Sequence, residues 1–139
     1  TGMGYDLEVE MIRQAHDLDM LTCPYVFNEE DAVKMAKAGA DVLVPHMGLT
    51  TKGSIGATTA LTLEESAKRV QAMRDAAVKI NPEILVLCHG GPIAEAEDAQ
   101  YIFNHTQGIS GFFGASSMER LPTEVGIENQ ARSFKTLKL

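Results

Sequence analysis

The chain has 139 residues, a formal net charge of −7, 45% hydrophobic residues and 22% charged residues, which is enough for one domain with a buried core. The acidic balance argues against a nucleic-acid partner, since such proteins usually carry a basic face, and no apolar run approaches the roughly 20 residues of a membrane span. No signal-peptide pattern appears, and the two cysteines, Cys23 and Cys88, lie in apolar runs, so we expect a cytoplasmic protein with two buried free thiols.

Helices and strands alternate along the chain. Helical spacing of apolar residues covers residues 6–19, 28–38, 62–80, 94–106 and 122–137. Strand-like apolar runs cover residues 20–27, 41–46, 84–88 and 109–114. This alternation predicts a parallel sheet with right-handed crossovers, an α/β fold.

Four such strands make either a small open sheet or half of an eight-stranded barrel, whose usual size is about 250 residues. Residues 1–6 indicate a loop that enters a helix, a position that normally follows a strand. We therefore predict that residues 1–139 form a single domain, the C-terminal half of a TIM (β/α)8 barrel. A stand-alone four-stranded open sheet is the alternative.

Polar and glycine-rich residues follow three of the predicted strands. The carboxyl ends of parallel strands share one rim, so residues far apart in sequence are expected to meet there. The candidate site residues on this rim are His46, Lys52, His89, Gly90, Gly91, Gly114, Ser116, Ser117 and Arg120.

The glycine-rich exits from the last two strands favour an anion site. Glycines let the backbone approach a ligand closely and expose amides to it. Ser116 and Ser117 offer hydroxyl donors, and Arg120 offers a bidentate partner for a phosphate or carboxylate. Lys52 lies in a long loop that could fold over the anion. The alternatives are tight turns without a ligand and a solvated lysine.

His46 and His89 each end an apolar strand. A histidine there is suited to general acid–base catalysis, to metal binding or to polarising a carbonyl; alternatively, it only bonds to a backbone carbonyl and closes the rim. The sequence contains no phosphate-binding P-loop, no nucleophile elbow and no cysteine cluster with zinc spacing. No pair of acidic residues follows a strand, so no magnesium site is evident.

Five segments resemble the phosphoenolpyruvate hydrolase-like TIM-barrel family, a distant relative of the phosphoenolpyruvate mutase and isocitrate lyase superfamily. Together the segments span nearly the whole chain, and the string GASSMERLP is the most specific part of the resemblance. The segments are residues 25–32, 39–50, 53–57, 89–92 and 111–122.

The resemblance implies a barrel that acts on a small phosphorylated or phosphono keto-acid, as a hydrolase or lyase. His46 and His89 would be the catalytic residues, and the other rim residues would bind the substrate. A divalent metal such as Mg²⁺ is implied by family analogy only, so the cofactor stays open. The plant virus-resistance proteins of this family suggest the alternative of a non-catalytic binding or regulatory module.

A half-barrel leaves two sheet edges unpaired. We therefore expect the chain to pair with an N-terminal half-barrel or with a second copy of itself, as a homo-oligomer. Because most of the covalent or metal chemistry would reside in the complementary half, we expect this chain to be inactive by itself.

Overall fold

The computed structural model describes residue 2 and residues 4–58 and 61–137. The predicted loop positions Thr1, Met3, Thr59 and Ala60 lie outside the described residues. In chain order the elements are α1 (Tyr5–Asp17), β1 (Tyr25–Val26), α2 (Glu29–Lys37), β2 (Val42–Pro45), α3 (Leu63–Ala77), β3 (Leu85–Cys88), α4 (Ala96–Asn104), β4 (Gly111–Phe112), α5 (Ser116–Glu119) and α6 (Leu121–Lys135).

The four strands form one parallel sheet in the order β1-β2-β3-β4. Each crossover helix therefore delivers the chain to the next position in the sheet without a reversal of order. This sequential order is that of a barrel, whereas doubly wound sheets reverse direction at a switch point. The fold is α/β and consistent with half of a TIM barrel, as the sequence predicts.

The edge strands β1 and β4 are shorter than predicted, although their hydrogen bonding extends further. The amides of Val42, Val44 and His46 donate to carbonyls of residues 22, 24 and 26 at 2.9–3.1 Å. Pro24 has no amide proton, so it joins this ladder through its carbonyl alone, as suits an edge. The regular strand is therefore confined to the two residues after the proline.

The hydrophobic core lies between one face of the sheet and helices α2, α3 and α4. On this covered face the strand side chains Val26, Leu43, Val86 and Cys88 are buried. The helices contribute the buried side chains Ala32, Met35, Val70, Met73 and Ile102. Thr62 and Glu65 form a capping box at the start of α3.

The opposite face of the sheet is open at its margins. Cys23, Tyr25, Phe27 and Leu85 point to this open face and are exposed, while Val44 of β2 is buried. The prediction that both thiols are buried is therefore wrong for Cys23. Alternate residues of a strand point to opposite faces, and Cys23 shares the open face with Tyr25.

The loop after β4 contains a short helix that the sequence pattern does not predict. The amides of Met118 and Glu119 both donate to the Ala115 carbonyl and close one turn, α5, directly before α6. Among the described residues, no helix is long and apolar enough to cross a membrane.

Candidate ligand-binding site

A pocket of about 340 Å³ opens at the carboxyl ends of β2, β3 and β4. Four of the predicted site residues line it together: His46, His89, Ser116 and Arg120. The remaining lining residues come from the loops after β2 and β4 and are Gly48, Leu49, Thr50, Ile55 and Ala115. The shared rim expected of parallel strands thus brings residues 74 positions apart into one site.

His46 follows β2 and is half-buried. Its Nδ1 atom accepts a hydrogen bond from the Gly48 amide at 3.1 Å. Burial, and after it the neighbouring His89, lowers the pKa of His46 below its ordinary value. His46 is therefore held toward its neutral form.

His89 follows β3 and is buried. Its Nδ1 atom lies 2.8 Å from the carbonyl oxygen of Phe113, in the loop after β4. The two histidines are paired in the sheet register, and the Met47 amide donates to the His89 carbonyl at 3.0 Å. The backbone therefore fixes their separation.

Tyr25 packs against both imidazole rings from β1. It stacks parallel to His89, with ring centroids 5.2 Å apart, and meets His46 edge-on at 4.9 Å. The centroids of the two histidine rings are 5.0 Å apart. Phe27 also packs against His46, with ring centroids 5.6 Å apart, and Phe113 packs against His89, with centroids 5.5 Å apart. The histidines are thus held in an aromatic cluster on the open face.

The two predicted cations are both paired with carboxylates. Lys52 Nζ lies 2.8 Å from Asp98 Oδ2, and Arg120 Nη1 lies 2.7 Å from Glu124 Oε1. Arg120 also donates to the Lys52 carbonyl at 3.1 Å. Arg120 reaches the pocket while engaged in these contacts, whereas Lys52 is not among the lining residues.

Glu124 fastens the long loop after β2 to the start of α6. Its carboxylate accepts hydrogen bonds from the amide and hydroxyl of Ser54, both at 3.0 Å. The Ser54 amide and the Arg120 guanidinium hold the pKa of Glu124 below its ordinary value despite some burial. Gly53, with φ of +89°, lies where a Cβ atom would collide with both Arg120 and Glu124.

Asp98 fastens the same loop to the start of α4. Burial acts to raise the pKa of this carboxyl group, but hydrogen bonds from Lys52 and from the amides of Glu95 and Ala94 outweigh it, so the pKa is lowered. The loop is thus tied at two points, and Lys52 acts as one of the ties.

The glycine pair after β3 packs against the loop after β2. Gly90 and Gly91 have φ of +78° and +59°, and a Cβ atom on either would meet the backbone of Met47 or Gly48. The Gly91 amide donates to the Gly48 carbonyl at 2.6 Å. This close approach of two loops accounts for the glycines, and neither residue lines the pocket. Gly114 and Ser117 also lie near the pocket without lining it.

The residues that the structure describes contain no group of three His, Cys, Asp or Glu side chains placed to hold a metal ion. The family-implied magnesium therefore does not fit the residues of this pocket by themselves. A larger groove of about 600 Å³ runs along α3 and α4, but its Glu64 and Lys68 side chains bond to each other at 2.6 Å. The rim pocket is the better candidate because its polar groups converge.

Sequence reasoning missed Glu124 and Asp98 and assigned no function to Tyr25. Asp98 is the third helical residue after Glu95 and completes a capping box, so its visible signal is structural. The sequence does show that Glu124 lies four residues after Arg120, a spacing that pairs charges on a helix. That signal identifies the partner of Arg120 but not the contact with Ser54.

Comparison with known proteins points to one family. Residues 1–137 match the family described as phosphoenolpyruvate hydrolase-like. The chain is 57% identical over 139 residues to the ToMV susceptible protein tm-1(GCR26) and 56% identical to the ToMV resistance protein Tm-1(GCR237), both of Solanum lycopersicum. It is also 29% identical over 137 residues to the putative transcriptional regulatory protein y4pA of Sinorhizobium fredii.

The alignments cover all of this chain for the tomato relatives and 99% of it for the bacterial one. They cover only 18% of each tomato protein and 22% of the bacterial protein. The similarity therefore concerns one part of much longer relatives.

Proposed function

Because the chain belongs to the phosphoenolpyruvate hydrolase-like family, we propose that its rim pocket binds a small phosphorylated or phosphono keto-acid and contributes to its cleavage by hydrolysis or lysis. The observation that carries this proposal is the convergence of His46, His89, Ser116 and Arg120 in one pocket. Two imidazoles, a hydroxyl and a guanidinium are groups that bind an anion and move a proton.

Each of these side chains has a role suited to such a ligand. Arg120 supplies positive charge to the phosphoryl, phosphonyl or carboxylate group, and Ser116 donates a hydrogen bond to it. His46 and His89 polarise a carbonyl or transfer a proton. Since Glu124 already holds Arg120 at 2.7 Å, an incoming anion competes with this carboxylate.

The remainder of the reaction belongs to residues outside this chain. The chain spans only about a fifth of its curated relatives, and the described part of the pocket has no metal-ligand cluster. We expect the separate chain to bind the anion without turning it over, and the full-length protein to supply the other half of the site.

Thermal unfolding of the full-length protein tests the anion site. Phosphoenolpyruvate, phosphonopyruvate and inorganic phosphate are added with and without Mg²⁺. A ligand at a hundred times its Kd stabilises a protein by about 2.7 kcal/mol, so the melting temperature should rise measurably. The rise should be lost in Ser116→Ala and kept in Ser133→Ala, a serine on the exposed part of α6. Indifference to all three compounds contradicts the proposal.

The open face of the sheet supports a proposed partner. Tyr25, Phe27 and Leu85 are 37%, 48% and 50% exposed on this face, whereas parallel sheets are usually covered on both sides. A complementary half-barrel, either a second copy or another segment of the full-length protein, would cover them. Light scattering of the separate chain over a range of concentrations tests the second copy: a monomer at every concentration excludes the homo-oligomer.

A non-catalytic binding module is the second candidate. It is favoured by the two tomato relatives, whose names refer to susceptibility and resistance to ToMV rather than to an enzyme activity. If the chain is such a module, full-length protein with His89→Ala would retain its biological role, which is the binding of a partner. Loss of that role together with loss of anion binding would instead favour the enzyme-like function.

A further inference from the structure

The two pocket histidines are held in opposite hydrogen-bonding states. The Gly48 amide can only donate, so Nδ1 of His46 must carry a lone pair, and the proton of the neutral ring lies on Nε2. The Phe113 carbonyl can only accept, so Nδ1 of His89 must carry the proton, and Nε2 of the neutral ring carries a lone pair. The backbone thus fixes a different tautomer for each ring.

The second nitrogen of each ring is available to a ligand. Both histidines line the pocket, and neither Nε2 atom has a hydrogen-bond partner among the described residues. Their ring planes are 71° apart, with centroids separated by 5.0 Å. Turning either ring over would break its bond to the backbone, and Tyr25 packs against both rings. The pocket therefore presents one N–H donor and one lone-pair acceptor side by side.

We propose that this pair selects an oxyanion that still carries a hydroxyl, such as hydrogen phosphate or a monoprotonated phosphoryl or phosphonyl group, over a fully deprotonated oxyanion such as sulfate. The hydroxyl donates to Nε2 of His89, while a neighbouring oxygen accepts from Nε2 of His46. Sulfate has no proton to give, so its oxygen would meet the lone pair of His89. The inference rests on the proposed function, because it specifies the form of the anion that the same pocket takes.

Calorimetric titration of the full-length protein with sodium phosphate and sodium sulfate tests this selectivity. The two anions are both tetrahedral, and the titrations are run at about pH 8 and matched ionic strength, where ordinary imidazoles are neutral and phosphate still carries one proton. A hydrogen bond to a charged group contributes about 1.5–3 kcal/mol, so phosphate should bind at least about tenfold more tightly than sulfate.

Two asparagine variants separate the two roles. Asparagine can replace the Nδ1 contact of a histidine but places no polar atom at the Nε2 position. His89→Asn can still donate to the Phe113 carbonyl, and it should abolish the preference for phosphate. His46→Asn can still accept from the Gly48 amide, and it should weaken both anions about equally while keeping the preference. Long-range ¹⁵N–¹H spectra of the wild-type protein report the two tautomers directly.

Each result bears on a separate part of the proposal. Equal binding of phosphate and sulfate overturns the selectivity while leaving the anion site intact. A proton on Nε2 of His89, or on Nδ1 of His46, in the neutral rings also overturns it. Binding of neither anion overturns the selectivity, and the proposed function fails with it only if phosphoenolpyruvate and phosphonopyruvate also do not bind.

Discussion

The two faces of the same four-stranded sheet are built from similar residues but have different surroundings. Each face carries a leucine and a cysteine: Leu43 and Cys88 on the covered face, Leu85 and Cys23 on the open face. Leu43 is fully buried, whereas Leu85 is 50% exposed. Helices of this chain pack on the covered face, while the open face carries His46 and His89 at the carboxyl ends of its strands. The covered face thus stabilises the fold, and the open face carries the site.

The leucine pair should show the largest difference. Leu43→Ala leaves a cavity in the core and should lower the free energy of unfolding by about 2–5 kcal/mol. Leu85→Ala removes a side chain that is already half-exposed and should lower the free energy of unfolding by about 1 kcal/mol or less. Urea unfolding of the separate chain measures both. Equal costs would mean that the open face is covered in solution, and a concentration-dependent cost for Leu85→Ala would identify a second copy as the cover.

The cysteine pair should differ in reactivity. Burial raises the pKa of Cys88 to about 11 from an ordinary 9.0, and this alone reduces its thiolate about a hundredfold. Burial also raises the pKa of Cys23, but this thiol lies at the exposed margin. A disulfide reagent should therefore modify one thiol quickly in the folded chain and two in urea. Cys23→Ser should remove the fast phase. Fast modification of Cys88 would show that the covered face opens readily.

Most of the fold could be predicted from the sequence because helical and strand periodicity report burial directly. The buried run of β2 and the capping box of α3 are local patterns, and the structure contains both. The exposure of Cys23 is not local: it depends on which face of β1 the core helices cover. An apolar run in the sequence does not show whether one face of the strand or both faces are covered.

The candidate site was predictable in part for the same reason. His46, His89, Ser116 and Arg120 follow strands, and the topology alone brings them to one rim. The ties made by Asp98 and Glu124 join residues 46 and 70 positions apart through side chains, so strand order does not predict them. The tautomers of the histidines depend on single backbone contacts and could not be predicted either.

Removing a carboxylate beside the rim pocket should change the affinity for phosphate, whereas removing one elsewhere on α6 should not. Glu124→Gln removes the carboxylate that competes with a ligand for Arg120, and it should tighten phosphate binding about threefold to tenfold. Glu128→Gln is the matched control, since Glu128 pairs with Arg132 at 2.7 Å on the same helix, also four residues apart. That control should leave phosphate affinity unchanged. Calorimetry measures both, and weaker binding in Glu124→Gln would show that the tie to Ser54 is needed to shape the pocket.

The smallest expected effect is a pH dependence of stability that originates at the rim of the open face. Burial and the neighbouring His89 lower the pKa of His46, so the folded chain binds this proton less readily than the unfolded chain, whose histidines have a pKa of about 6.5. The unfolded state therefore gains protons first, and the free energy of unfolding should fall as the pH drops through this value. The fall should end once His46 is also protonated in the folded state.

Two variants test whether His46 causes this pH dependence. His46→Asn can keep the Gly48 contact and should lose the His46 contribution to the pH dependence. His16→Asn changes an exposed histidine near the end of α1 and should retain that contribution. Urea unfolding at several pH values measures the free energy of unfolding of each variant. Identical pH profiles for the wild type and His46→Asn would show that His46 is as well solvated as the exposed side chains at the margin of the open face.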